Sequence, residues 1–371
     1  MAAVNYGAVL HGAGDLRVEE LPMPEPGPQQ VLVAMRAVGI CGSDVHYYET
    51  GGIGPFVVRQ PQVLGHEPFG VIAGLGSPGS PHRLGQRVVV EPGIPCGRCP
   101  QCRSGSYNLC PDVEFLGNPP ASGTTAAVNG ALARYVAVHE DFVHPVPDTL
   151  SDAAAALIEP LAVALHAVRR ARIEPGSTVL ITGAGPIGLL AAQVARAAGA
   201  TTVVVTDVRD EPLAYARRLG AAAVNVSARP ACLDGITCDV FLECSGAPAA
   251  MAGGIGQLGP HGIAVLVGVG PEEAALPVAT VRRRELTVTA TFRYANAFPA
   301  ALALAAAGSV DLAGLITDRV PLEQVPESFR AAVGRRHGRG DAAGIKTLVD
   351  MDGEAGLARI AATEDGRDDA S

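Results

Sequence analysis

The chain has 371 residues, enough for two domains, because a single core tends to split beyond roughly 250 to 300 residues. Its 48% hydrophobic and 18% charged content rule out disorder for most of its length, and a formal charge of -9 with one lysine, Lys346, argues against a nucleic-acid partner. The opening MAAVNYGAVLHG lacks the basic and apolar parts of a secretory leader, and no apolar run reaches the ~20 residues of a membrane span.

Alternating apolar residues from Val31 to Val38 predict a strand, and the region to about residue 150 continues as short strands with Gly/Pro turns. Cys41 in GICGSDVHYY and His66-Glu67 in VLGHEPFG lie in Gly-flanked turns after apolar stretches, a setting that suits metal ligands. Taken singly, a buried core thiol and a loop histidine are the commoner readings. Next comes PGIPCGRCPQCRSGSYNLCP, in which Cys96, Cys99, Cys102 and Cys110 have C-x2-C-x2-C-x7-C spacing. Thiolates this close can meet around one tetrahedral zinc at about 2.3 Å per bond, and four protein ligands make the site structural. Eight cysteines in a chain of this size, four of them at zinc spacing, fit a reducing cytoplasm better than a disulfide framework.

At Ser151 the texture changes to an N-cap signal, an Ala-rich helix and a second helix started by Pro160. TVLIT, GAGPIG, LLAAQVARAAGA and TVVVTD then read as strand, glycine loop, helix and strand, with VFLECSG and AVLVGVG as later strands of the same sheet. Gly183, Gly185 and Gly188 form G-x-G-x-x-G, and Asp207 ends the next strand nineteen residues after Gly188. This context predicts a dinucleotide whose pyrophosphate meets the helix N-terminus, with Ile187 packed near the turn. Asp207 favours NAD, since its carboxylate can bond both ribose hydroxyls and repels the extra phosphate of NADP; Arg209, two residues on, could accept that phosphate, although an exposed turn residue is its commoner reading. The run Arg282–Arg284 reads as a solvated turn. Beyond Thr291 the pattern gives a helix near Pro299–Ala307, a strand near LITDRVP, a helix near Val325–Val333 and the strand KTLVDM, all returned to the first domain. The acidic end EAGLARIAATEDGRDDAS is expected to fray.

With these motifs in this order, the chain resembles the zinc-dependent medium-chain dehydrogenases, and within them the sorbitol (polyol) dehydrogenase group. The resemblance runs to about residue 350 and is densest in GICGSDVHYY, VEPGIPCGRCPQC, YNLCP, IEPLAV, GAGPIGLL and FRYAN. It implies a GroES-like β-rich catalytic domain (1–155 and 296–371, with the zinc lobe at 92–111) split by a Rossmann domain (156–295). It also implies two zinc ions per chain and NAD, with a homodimer or homotetramer as the assembly. The catalytic zinc is expected on Cys41, His66 and Glu67, a formally neutral set with an open position for an alcohol oxygen, and Asp44 orients His66. Glu159 is either a fourth ligand or acts through water. Ser43 and His46 are placed to relay the alcohol proton. Tyr47, Phe115, Glu159, Arg293 and Tyr294 match substrate positions and suit a polyhydroxy chain. Val267, Gly268, Val269, Phe292 and Arg293 belong to stretches that approach the nicotinamide.

Two departures stand out. Pro212 replaces an arginine common in the family after the ribose aspartate, so Arg209 is the expected substitute. The stretch between Pro119 and Pro147 is several residues longer than in typical polyol enzymes, and its TTAAVNGA is expected to lie near the substrate side. The implied reaction is oxidation of a secondary alcohol of a sorbitol-, xylitol- or idonate-like polyol. A dehydrogenase for a threonine-like or aminocyclitol alcohol is the alternative. A non-catalytic NAD-binding protein and a zinc-finger nucleic-acid module are weaker readings.

Overall fold

The computed structural model describes residues 3–119, 128–227, 233, 235–337 and 344–351. Residues 120–127 of the longer stretch, and the acidic end expected to fray, lie outside the described residues.

The first half is built on one long strand, Gln30–Gly39, whose alternating Val31, Val33 and Met35 side chains enter the core. Its length lets it serve two neighbours on one side, Tyr135–His139 along its first half and Lys346–Asp350 along its second, while Glu67–Leu75 covers the other side. Arg87–Val90, Val143–Pro145 and Ile316–Pro321 complete a seven-stranded sheet. The strands near LITDRVP and KTLVDM thus join a sheet begun about three hundred residues earlier.

The second sheet has six parallel strands in the order Ala222–Asn225, Thr202–Asp207, Thr178–Thr182, Cys238–Glu243, Leu258–Leu266 and Thr287–Ala290. Numbered along the chain this is 3-2-1-4-5-6, the doubly wound order of a dinucleotide-binding sheet. Val179, Leu180 and Ile181 are all fully buried, as expected for a strand covered on both faces, and this explains an apolar run without alternation.

Between the sheets runs the helix Ile158–Ala171, preceded by a single turn, Asp152–Ala155, whose cap Ser151 accepts from the Ala154 N–H at 3.2 Å. This helix starts two residues before the expected Pro160. Pro160 falls within the first turn, where backbone N–H groups have no helical partner, so its missing hydrogen is tolerated. The shift places Glu159 at a buried helix N-terminus, where the macrodipole favours a carboxylate. One hydrophobic core takes in this helix, Ala37, Phe69 and Val89 of the first sheet, and Val179 and Ile181 of the second. The run Arg282–Arg284 is not only solvated: Arg284 donates to the Gly256 carbonyl at 2.8 Å. No helix among the described residues is long and apolar enough to cross a membrane.

Candidate active site

Strand Gln30–Gly39 delivers the chain to Cys41, which caps the helix Gly42–Thr50. Asp44, in the first turn of that helix, accepts from the Cys41 N–H at 3.0 Å through Oδ2. Its Oδ1 accepts from the Gly65 N–H at 3.2 Å and lies 3.3 Å from His66 Nδ1. One fully buried carboxylate therefore ties the Cys41 turn to the His66 turn and leaves His66 Nε2 facing Ser43, whose Oγ is 3.5 Å away. Burial alone would raise the Asp44 pKa; His66 and the Cys41 N–H outweigh it and hold the carboxyl below its ordinary range.

Cys41, His66 and Glu67 each offer a ligand atom, and the three lie within 4.8 Å of one another. A thiolate, an imidazole and a carboxylate suit zinc, and three ligands leave a tetrahedral ion one open position. Glu67 has a further partner, Lys346, whose ammonium pairs with Oε2 and donates to the Ile40 carbonyl at 2.9 Å. Gly39 makes room for the pair, because a side chain there would run into both the Glu67 carboxylate and Lys346. Burial opposes the charge on Lys346, and Glu67 and Cys41 more than restore it, so its pKa is raised. The expected neutral balance of zinc, thiolate and one carboxylate is thus altered by a buried cation.

Glu159 Oε1 accepts from the Tyr294 hydroxyl at 2.8 Å, both groups being buried. Burial pushes the Glu159 carboxyl up to about 7, with His66 opposing and the charge of Glu67 adding to the rise. The Phe115 ring sits 5.6 Å from the His66 ring on one side and 3.9 Å from the Arg293 guanidinium on the other. Arg293 Nη1 is buried and has no hydrogen-bond partner among the described residues. Tyr47 is buried in the first-domain core, close enough to Arg293 for the cation to favour its phenolate against burial, which raises its pKa. His46 stands apart. Its ring is half-buried and makes no hydrogen bond among the described residues.

In the four-cysteine lobe the Cys99 and Cys102 sulfurs are 3.3 Å apart and those of Cys96 and Cys102 4.0 Å apart. Sulfurs around a tetrahedral ion at about 2.3 Å stand a little under 4 Å from one another, whereas a disulfide needs about 2 Å. All four cysteines are free and their sulfurs lie within 4.8 Å of one another. The backbone N–H groups of Arg98 and Cys99 bring the Cys96 thiol down to about 6, while burial pushes Cys102 and Cys110 up, so without a cation the cluster holds its charge on Cys96 first.

At the parallel sheet, Gly183 turns the chain at φ 88°, and Gly188 packs against the Gly183 carbonyl so closely that no side chain fits. A side chain on Gly185 would meet nothing within 4 Å, so the backbone at the N-terminus of the helix Pro186–Ala197, which carries Ile187, faces open space. Asp207 is already engaged: Oδ2 accepts from the Ala184 N–H at 2.8 Å, Oδ1 from the Arg209 N–H at 3.0 Å, and Arg209 Nε lies 3.7 Å from Oδ1. A ribose would meet the remaining lone pairs. Across the switch point, Glu243 accepts through its carbonyl from the Val267 and Gly268 N–H groups, both at 2.8 Å. Its carboxylate holds the Ser245 N–H at 2.8 Å, which knits the two loops beside the strand ends, while Val269 and Phe292 remain exposed.

The description "Alcohol dehydrogenase GroES-like domain" matches residues 27–148 and "Zinc-binding dehydrogenase" matches 186–307. Sorbitol dehydrogenase of Bacillus subtilis is 41% identical over 334 residues, covering 88% of this chain and 93% of that protein. The chain belongs to the zinc-binding alcohol dehydrogenase family. Among solved structures, L-idonate 5-dehydrogenase of Escherichia coli superposes with a TM-score of 0.84 at 30% identity, covering 95% of this chain and 99% of that one. Galactitol-1-phosphate dehydrogenase of Escherichia coli gives 0.82 at 30% identity over 93% and 100%.

In this zinc-binding dehydrogenase the fold brings Cys41, Ser43, Asp44, His66, Glu67, Phe115 and Arg293 into one chain of contacts, with the Glu159–Tyr294 pair beside it. Lys346 is the residue that the sequence reading passed over as a site member. Its signal was there, a single lysine in a chain that otherwise uses arginine, set on an apolar strand where a solvated cation has no place.

Proposed function

We propose that the chain oxidises a secondary alcohol of a polyol or sugar-like substrate, passing hydride to NAD and giving a ketose or keto product. Zinc, when bound by Cys41, His66 and Glu67, supplies Lewis acidity to an alcohol oxygen. The protein's own groups do the rest. Asp44 fixes the imidazole, and Ser43 Oγ, beside His66 Nε2, is placed to take the hydroxyl proton. His46, half-buried one turn further along the helix, would carry it toward solvent across a gap that no protein group bridges among the described residues. Glu159, held by Tyr294, accepts from a neighbouring substrate hydroxyl, and Lys346 keeps the Glu67 carboxylate balanced.

The observation that carries the substrate class is the buried, unpartnered Nη1 of Arg293 above Phe115, beside the Glu159–Tyr294 pair. A substrate with several hydroxyls satisfies these groups, whereas a simple alcohol leaves them unpaired. On this reading residues 1–155 and 296–371 form the catalytic domain and 156–295 the cofactor domain, with Gly183, Gly185, Ile187, Gly188, Asp207, Val267, Gly268, Val269 and Phe292 along the NAD path. NAD is favoured over NADP because Arg209 is folded onto Asp207. We also infer a cytoplasmic location, which the free thiols of the described cysteines fit, and a homodimer or homotetramer, testable by light scattering.

The test is NADH formation by the zinc-loaded protein across polyols, sugar acids, threonine, aminocyclitols and simple secondary alcohols, repeated with NADP. Turnover confined to amino alcohols rejects the polyol class, and higher efficiency with NADP rejects the cofactor assignment.

A further inference from the structure

The seven residues between Cys102 and Cys110 reach across to segment 292–296. The Gly105 carbonyl accepts from Asn296 Nδ2 at 2.9 Å, the Tyr107 hydroxyl oxygen accepts from the Asn296 N–H at 2.7 Å, and Asn108 Nδ2 donates to the Phe292 carbonyl at 2.8 Å. Tyr107 in turn donates to Glu91 Oε1 at 2.6 Å, and the second oxygen of Glu91 lies 3.1 Å from His144 Nε2. Glu91 is buried at the end of a first-sheet strand, so the grip of the lobe is rooted in the β-rich core.

The gripped segment does not rest in a favourable conformation. Arg293 has φ 54°, in the left-handed region that disfavours a long side chain, and such backbone persists only where its surroundings over-determine it; Asn296, at φ 53°, is of a residue type that tolerates this region. From the opposite side the helix Ile158–Ala171 holds the same segment, with Arg169 Nη1 donating to the Asn296 carbonyl at 2.8 Å and Glu159 accepting from Tyr294. Between the two grips stand Arg293 and Tyr294.

We propose that the four-cysteine lobe is a positioning device for substrate recognition. Gly105, Tyr107 and Asn108 hold segment 292–296 in the strained form that aims Arg293 over Phe115 and Tyr294 at Glu159. Metal bound by the four cysteines fixes both ends of the gripping loop, and through it sets the affinity for hydroxyl-rich substrates. Tyr107 and Asn108 are positioning residues, because neither touches the site itself. A lobe that served stability alone would need no hydrogen bonds to the one segment that carries Arg293 over Phe115 and Tyr294 against Glu159.

The substrate clause rests on the polyol reading above, so the experiment has one readout that does not. Amide hydrogen exchange across 292–296 is measured in the zinc-loaded wild type, in Asn108→Ala, in Tyr107→Phe and in Cys99→Ser, together with zinc content and steady-state kinetics on the best polyol and on 2-butanol. Exchange in the segment is expected to accelerate about tenfold in Asn108→Ala, which loses one hydrogen bond to it, and at least as much in Tyr107→Phe and Cys99→Ser. KM for the polyol is expected to rise about tenfold with kcat and the 2-butanol KM little changed. Unchanged exchange in Asn108→Ala and Tyr107→Phe overturns the proposal, as does a parallel loss on both alcohols. Tyr107→Phe keeps the ring packing, so the question stays answerable if Cys99→Ser does not fold. If the wild type turns over no polyol, the substrate reading fails, and the exchange result still decides the positioning role.

Discussion

The two groups of candidate metal ligands in this chain are built on opposite plans. The four cysteines come from one short stretch, and their sulfurs are held by backbone N–H groups and tight turns. Cys41, His66 and Glu67 come from two turns joined by Asp44, and around them lie Lys346 and Glu159, which belong to a distant strand and a distant helix. The difference is chemical. A closed site needs its ligands near one point, whereas a site that leaves a coordination position open must also set the charge felt by whatever enters. Buried ionisable neighbours are therefore expected at the second cluster and superfluous at the first.

Changing one ligand in each cluster breaks the comparison most directly. Cys41→Ser is expected to lower kcat/KM by on the order of 10³-fold or more, with one zinc lost and little change in Tm. Cys99→Ser is expected to lose the other zinc and lower Tm. Equal folding defects in both would show that the two clusters are not divided in this way. The next effect is on stability. Lys346→Met leaves the Glu67 carboxylate buried without its cation and is expected to cost about 3 to 5 kcal/mol in urea unfolding, more after zinc is stripped. A loss below about 1 kcal/mol would show that the metal alone balances Glu67.

Glu159 sharpens the contrast through pH. Its carboxyl is raised to about 7, so the carboxylate dominates only above that value, and kcat/KM is expected to rise with pH through about 7. Glu159→Gln should flatten that limb and lower kcat/KM by about 10²-fold; a limb that survives belongs to another group. The smallest effect is expected at the cofactor. Asp207→Ala removes the acceptor of the Ala184 and Arg209 N–H groups and should raise KM for NAD about tenfold while narrowing the preference over NADP.

The sequence carried the local parts of this design well. Spacing alone located the cysteine lobe, and strand, glycine loop, helix and acid located the nucleotide cradle, because each lies within a few tens of residues. The candidate catalytic cluster was legible only once Cys41 and His66-Glu67 were taken together with the family resemblance. Lys346 was not legible, because its partner Glu67 is joined to it by sheet register: Gly39 pairs with Glu67 on one side and Leu348 on the other. Nor was the early start of the helix at Ile158, which core packing decides over the signal of Pro160. The hold of Tyr107 and Asn108 on segment 292–296 was equally hidden, since no spacing rule links residues 184 and 189 positions apart.

Lys346 bonds to a carbonyl 306 residues behind it in the chain, and that span orders events during synthesis. A growing chain that has already made Cys41, His66, Glu67, the four cysteines and the whole parallel sheet still lacks the counter-ion for Glu67. The lobe can close on its metal as soon as Cys110 emerges. The candidate catalytic centre reaches its final charge only when the strand Lys346–Asp350 docks beside Gln30–Gly39, so a chain cut short before that strand would keep all four cysteines of the lobe but leave the Glu67 carboxylate without its cation.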